Sequence, residues 1–461
     1  MKKILLPLAT IFAIASASAQ DVTSYFMDDS YNSMQHNAAF APDRGYFTIP
    51  LIGGISFNTS GNITLGNIIY NVDGSMVPFF DGSVSKSIAL DDLKKGTNSI
   101  GVSNSLDILS FGNYRANHKD FWSFGISLQT QVGLSAPYEF FEFMKCAGEN
   151  GQSYYEIEDI SLQAESYAEF ALGFSKVVSE KLTVGAKFKL LAGLANAQLS
   201  IDNMTIDIND SEWSVNTTGS MDISAAGIEI ATMMENGNTY YDLDDISAAI
   251  NSPAGWGAAI DLGATYDLFH NLQLSAAIND LGFISWKKSS TVSGTIANNV
   301  TYSGVDINSD EGVELEMDDI KVTPTEAKSG AKSIQATLNF GAEYDILGDR
   351  LSGGIVSTTR IWSKTTTSDL SAIVTGRPFS WLSASMSYTF TNKQANSVGL
   401  ALNFSPSWIN VYLATNILTS ELSKQYIPIN QSNSYVTLGI GIPIGKRSLR
   451  SKFTKFEEEQ E

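Results

Sequence analysis

From Ile334 to Ile346 every even position is apolar (Ile334, Ala336, Leu338, Phe340, Ala342, Tyr344, Ile346), whereas the odd ones are mostly polar (Ser333, Gln335, Thr337, Asn339, Glu343, Asp345). A period of two belongs to a strand and not to a helix. The alternation returns at Leu382, Ala384, Met386, Tyr388 and Phe390, at Val398, Leu400, Leu402 and Phe404, and at Val436, Leu438, Ile440 and Ile442. Short turn sequences join these segments, among them Leu347-Gly348-Asp349-Arg350, Thr391-Asn392-Lys393 and Ser405-Pro406-Ser407. Strands of roughly ten residues, apolar on one face and polar on the other, are the signature of an antiparallel up-and-down transmembrane β-barrel. A soluble sandwich alternates too, but its polar faces would have to cover both sides of very long sheets.

The pattern extends toward the N-terminus. Tyr46 to Asn58 alternates, although Pro50 weakens it as a strand. Ile100 to Ser110, Phe121 to Leu134, Tyr167 to Val178, Leu182 to Ala192, Trp256 to Leu268 and Leu272 to Trp286 follow, and with the segments between Ser333 and Pro443 the count reaches about fourteen, within the range of such barrels. If the first strand leaves the periplasm, the turns at Gly112, Ser179, His270, Gly348, Arg377 and Ser405 are all periplasmic and short. The connections 59–98, 135–163, 200–254 and 287–332 are then all extracellular and long, as barrels of this class require. Trp122, Trp256, Trp286, Trp362, Trp381 and Trp408 stand at strand ends, where interfacial aromatic girdles are expected.

Charge sharpens this division. The chain of 461 residues has a formal net charge of −20, and the connections 135–163, 200–254 and 287–332 carry −5, −10 and −3 of it. The acidity therefore belongs to the outer surface, and it argues against a nucleic-acid partner. Met1-Lys2-Lys3, an apolar run to Ser16 and Ala17-Ser18-Ala19 read as a signal peptide over 1–19. The expected plan is then a periplasmic or plug segment over 20–45, a barrel over 46–445 in contact with outer-membrane lipid, and a charged periplasmic tail over 446–461. Cys146 is the sole cysteine, so there is no disulfide framework.

The segment Asn37-Ala38-Ala39-Phe40, the following Gly45-Tyr46-Phe47-Thr48-Ile49-Pro50-Leu51-Ile52-Gly53-Gly54-Ile55-Ser56 and the closing ladder of strands resemble an uncharacterised family of outer-membrane barrels from Bacteroidetes, related to FadL-like and PorV-like barrels. FadL-like proteins have an Asn-Pro-Ala segment that plugs the lumen. This chain reads Asn37-Ala38-Ala39, without the proline. The resemblance implies a plug at Asn37, Ala38, Ala39 and Phe40; an ordinary N-terminal loop is the alternative.

Little in the chain speaks for catalysis or a cofactor. The three histidines lack metal-ligand spacing, and neither a nucleophile elbow nor a phosphate-binding loop is present. Asp306-Ile307-Asn308-Ser309-Asp310 starts like a calcium loop but has Glu311 where glycine is needed and Met317 where the bidentate glutamate belongs. Phe140, Phe141, Phe143 and Met144 form an apolar cluster in an outer connection, either an exposed ligand-binding surface or a small helix buried against the rim. Lys187, Lys189, Asp261, Asp267, Glu343 and Asp345 share the polar parity and should face the lumen, as a path for solute or as a closed network of ion pairs. The resemblance implies passive uptake or binding of a small hydrophobic molecule. Its alternative is a non-transporting docking or shuttle barrel with a secreted-protein partner.

Overall fold

Fourteen antiparallel strands close on themselves in the computed structural model. It describes residues 21–450 apart from 73–74, 92, 147–151, 210–211, 236, 250, 304–320, 349, 363–364, 392–394 and 418–433. The first strand, β1, is in two pieces, Gly45–Thr48 and Ile55–Gly61. There follow β2 (Thr97–Tyr114), β3 (Phe121–Pro137), β4 (Tyr154–Val177), β5 (Leu182–Ile208), β6 (Gly255–Phe269) and β7 (Leu272–Trp286). β8 is again in two pieces, Gly330–Ser333 and Ala336–Asp345. The circuit continues through β9 (Leu351–Trp362), β10 (Thr365–Phe379), β11 (Leu382–Thr391), β12 (Ala395–Phe404), β13 (Asn410–Thr415) and β14 (Tyr435–Ile444). β14 closes the ring on both pieces of β1, with Thr48 opposite Gly441 and Ile55 opposite Leu438. Closure leaves no sheet edge in the membrane, where an unpaired backbone group has no water to bond.

The sides of the sheet are reversed relative to a soluble protein. On β11, Ser383, Ser385 and Ser387 are 1%, 3% and 2% exposed, whereas Met386 and Phe390 are 54% and 50% exposed. Small polar residues pack inside and large apolar ones form the lipid-facing band. Trp122, Trp256, Trp381 and Trp408 stand on the outer face as expected of a girdle.

Trp286 and Trp362 do not. Trp362 shares the parity of Thr358 and Arg360 and lines an inner cavity. Trp286 is buried against Leu191 and Ile284 because β7 carries a bulge. The pairing jumps from Ile278 opposite Leu262 to Leu281 opposite Ile260, and Asp280 takes a positive φ of 59°. One extra residue reverses the parity beyond it. Leu281 and Phe283 therefore face outward, and Ile284 and Trp286 inward.

Pro50 marks a break. Between Thr48 and Ile55 the chain leaves the ladder, so that Ile440 accepts from Ile49 and donates to Ile52. Leu51, at φ 67°, and Ile52 face outward there.

The long connections are largely sheet, contrary to expectation. Beyond the barrel, the outer half of β5 pairs with Glu212–Ala225, which pairs with Thr291–Ser303, which pairs with Val322–Thr325. Against β4, β5 and this extension packs a short helix, α1 (Lys86–Asp91), with a second, α2 (Tyr138–Cys146). Phe141 and Phe143, on α2, join Phe79, Tyr155, Ile206 and Trp213 in one buried cluster, with Phe140 and Met144 partly buried at its margin. Of the two readings of 140–144, the structure shows the small buried helix and not the exposed ligand-binding surface: helical spacing puts Tyr138, Phe141 and Lys145 on one buried side.

Candidate functional site

Residues 21–44 fold inside the lumen, toward the end of the barrel with short turns. Two single-turn 3-10 helices shape them. Asp21 caps Val22–Ser24 by accepting from the Ser24 N–H at 3.3 Å, and Ser30 caps Tyr31–Gln35 through the Asn32 N–H. Ser24 Oγ lies 2.9 Å from His36 Nε2 and ties the two turns together.

The wall grips this segment around its circumference. Lys187 Nζ donates to the Met34 carbonyl at 2.6 Å, and Asn279 and Asn339 both donate to the His36 carbonyl, at 2.9 and 3.0 Å. Asp29 accepts from Ser383 Oγ and Asn403 Nδ2, each at 2.7 Å, and Tyr25 OH meets Ser275 Oγ at 3.1 Å. Thr23 bonds Tyr435 and Ser387. Tyr31 OH donates to the Gly53 carbonyl at 2.6 Å, inside the break of β1.

Asn37, Ala38, Ala39 and Phe40 hold the tightest approach. Asn37 Nδ2 donates to the Ala264 and Ala276 carbonyls, both at 3.3 Å, while its Oδ1 accepts from Ala39 N at 2.8 Å. The Ala39 carbonyl accepts from Ser175 Oγ and from Arg450 Nη2 of the C-terminal tail, each at 2.7 Å. Phe40 packs edge-on to Tyr25. Glycine is required opposite them. A Cβ on Gly185 would overlap the Ala38 carbonyl, and one on Gly263 would overlap Asn37 Oδ1.

The charges expected in the lumen fall into three groups. Lys189 lies 3.0 Å from Asp261 and 3.5 Å from Glu169, and also pairs with Asp280. Lys187 stands next to this cluster and holds the Met34 carbonyl of the plug. Glu343 lies 3.5 Å from Arg377, to which Asp345 adds its charge. Asp267 stands apart near the β6–β7 turn and accepts from Gln273 at 2.8 Å.

Glu169, Asp280 and Arg377 were not singled out from the sequence. Arg377 looked like a turn residue because it sits between Gly376 and Pro378, yet its side chain is 1% exposed, and it bonds Asp28 at 2.9 Å and the Phe26 carbonyl. The β7 bulge brings two consecutive residues inward, Asn279 to the plug and Asp280 to Lys189. Alternation alone would have sent one of them outside.

Burial sets the protonation of the plug. Loss of water around His36, with help from Lys187 and Arg360, lowers its pKa to about 3, so the ring is neutral. Burial raises Asp21 to about 7 against the opposing bonds from Ser24 and Thr23, and it raises Asp29 as well.

Beside the N-terminal segment and toward the long connections lies a cavity of about 230 Å³, lined by that segment, by β1–β7 and by Gln335, Thr337, Arg360 and Thr437. A second cavity of about 40 Å³, lined by Ile100, Leu134 and Trp362, shares Ser60, Gln335 and Arg360 with the first and leads toward the outer aromatic cluster. The calcium-like stretch Asp306 to Asp310 lies outside the described residues. Among the described residues no group of three or more His, Cys, Asp or Glu side chains is placed to hold a metal.

A model of a family of unknown function, DUF5723, matches residues 38–416. The chain belongs to that family. The match begins at Ala38, one residue after Asn37, and runs just past the end of β13. No curated protein matches this DUF5723 chain. It is similar to the toluene transporter TbuX of Ralstonia pickettii, at 10% identity and TM-score 0.38, covering 91% of this chain and 94% of that one. It is also similar to the toluene transporter TodX of Pseudomonas putida, at 12% identity and TM-score 0.39 over 93% and 95% of the two chains. A FadL homologue of Pseudomonas aeruginosa gives 9% identity and TM-score 0.35 over 93% and 96%.

Proposed function

We propose that this protein is an outer-membrane barrel for passive uptake of small hydrophobic molecules, with the N-terminal segment as the gate of its lumen. The observation that carries the reading is the stack of elements along the barrel axis. The outer aromatic cluster, the cavity at Ile100, Leu134 and Trp362, the larger chamber and the plug follow one another toward the end with short turns. The upper cavity, where Ile100, Leu134 and Trp362 stand among serines, glutamines and Arg360, gives a passing ligand apolar surface, whose burial is worth about 25 cal/mol per Å². The lower chamber is lined by serines, amides and charges, so the fitting ligand carries a polar head.

Burial of Phe141 and Phe143 inside the outer cluster removes them as an exposed ligand-binding surface, and the docking alternative, whose surface would be the outer connections, has no specific observation in its favour. Native mass spectrometry of the full-length protein, released gently from membranes, tests the reading. A small amphipathic molecule at fixed stoichiometry supports it. An empty barrel that carries a second protein replaces it with docking.

A further inference from the structure

The chamber above the plug is unevenly provided with charge partners. Five acids line it (Asp21, Asp107, Glu169, Asp261 and Asp280) against three bases (Lys187, Lys189 and Arg360). The bases are engaged. Lys189 is surrounded by three carboxylates, Arg360 pairs with Asp369, and Lys187 donates to the Met34 carbonyl beside the Lys189 cluster.

Asp107 is the exception among the acids. Its carboxylate makes no hydrogen bond or close ion pair among the described residues, its opposing charge being Lys187 at longer range, and it lies in the wall of the chamber. Its oxygen occupies the place where a Cβ on residue 54 would stand, so only glycine fits there, while Tyr31 OH bonds the neighbouring Gly53 carbonyl, so β2 and the N-terminal segment converge on the break in β1. Next to Tyr31, Asn32 is 3% exposed, and neither its amide nitrogen nor its amide oxygen has a partner. Tyr31 and Tyr46 stack at 4.9 Å beside them and also line the chamber.

We propose that this chamber is a binding site for small organic cations, with an ammonium head recognised by Asp107 and the Asn32 side chain and a short apolar part set against Tyr31 and Tyr46. The proposal rests on the uptake reading and names the polar head that reading leaves open. Asp107 is partly exposed on the chamber wall, and a charge-assisted bond from an ammonium gives its carboxylate the direct partner it lacks. Aromatic rings add attraction for a cation. An anion would face a net negative wall whose bases are already paired. A neutral polyol would satisfy Asn32 and leave Asp107 uncompensated.

The test is titration calorimetry on the full-length protein in nonionic detergent, with three probes of similar shape: 2-phenylethylammonium, 2-phenylethanol and 3-phenylpropanoate. The ammonium is expected to bind at least tenfold more tightly than the alcohol, and the carboxylate to give no heat. Asp107→Asn, nearly isosteric, is expected to lose at least tenfold for the ammonium and to leave the alcohol unchanged. The three-probe comparison on the unaltered protein needs no variant to fold. Equal affinity for ammonium and alcohol, or full ammonium affinity in Asp107→Asn, overturns the cation site and leaves the uptake reading standing. Binding of none of the three overturns the site. The uptake reading falls with it only if removing the plug also opens no conductance.

Discussion

Arg377 Nη2, on β10, lies 2.9 Å from Asp28 Oδ1 on the plug and joins the wall to the segment inside it. The same guanidinium donates to the Phe26 carbonyl and to Ser352 Oγ, with Glu343 at 3.5 Å. Breaking a buried charge pair by removing one partner costs about 3–5 kcal/mol, and lysine does not reproduce the forked geometry. Arg377→Ala is therefore expected to raise the mean conductance of the protein in planar bilayers at least tenfold, and Arg377→Lys to raise it by less. Closed channels in both variants would remove Arg377 as an anchor.

Gly185 and Gly263 face the plug where no side chain fits. Gly185→Ala and Gly263→Ala are each expected to displace Asn37 to Phe40 and to speed hydrogen exchange of those amides at least tenfold. Gly353→Ala is the comparison, since its Cβ would meet nothing closer than 3.6 Å. It is expected to leave exchange in the plug unchanged.

Asp21 and Asp29 of the N-terminal segment respond to pH in one direction and His36 in the other. Asp21 rises from 3.8 when free to about 7 when docked. Between those values the docked plug holds a proton that a released plug has given up, so raising the pH through this window favours release. His36 falls from 6.5 to about 3. Between those values the released plug holds the extra proton, so lowering the pH favours release. The unaltered protein is thus expected to change little between pH 4 and 7, because the two effects oppose each other. Asp21→Asn, which leaves His36 opposed by Asp29 alone, should open more toward pH 4 than the unaltered protein does. His36→Asn, which keeps Asp21 and Asp29, should open toward pH 7. Conductance recorded across that range checks both signs.

The barrel was legible because strand periodicity survives in the sequence wherever the wall separates lipid from lumen. The short turns and the closing ladder follow from it directly. The N-terminal segment was expected over 20–45 as a periplasmic or plug segment, from a resemblance and not from any pattern, because residues 21–36 have no period and owe their shape to the wall around them. Trp286 and Asp280 were misplaced or missed for one physical reason, the β7 bulge at Asn279-Asp280, which reverses parity with neither glycine nor proline at the bulged positions themselves. The outer sheet was hidden because its strands 212–225 and 291–303 lie outside the bilayer and need not keep a lipid face.

Phe141 anchors the outer cluster at 2% exposure. Phe141→Ala is expected to destabilise that cluster by about 3–5 kcal/mol. Limited proteolysis of α2 and the adjoining connection should accelerate accordingly, while the heat-dependent gel migration of the barrel stays the same. Unchanged proteolysis would mean that α2 contributes little to the outer structure.

The central claim is that residues 21–44 close the lumen, and planar-bilayer recording of a barrel that lacks residues 21–43 tests it most directly. The account predicts brief, rare openings from the full-length protein and a steady conductance from the deletion variant, at matched levels of folded barrel by gel migration. A deletion variant as closed as the full-length protein would contradict it.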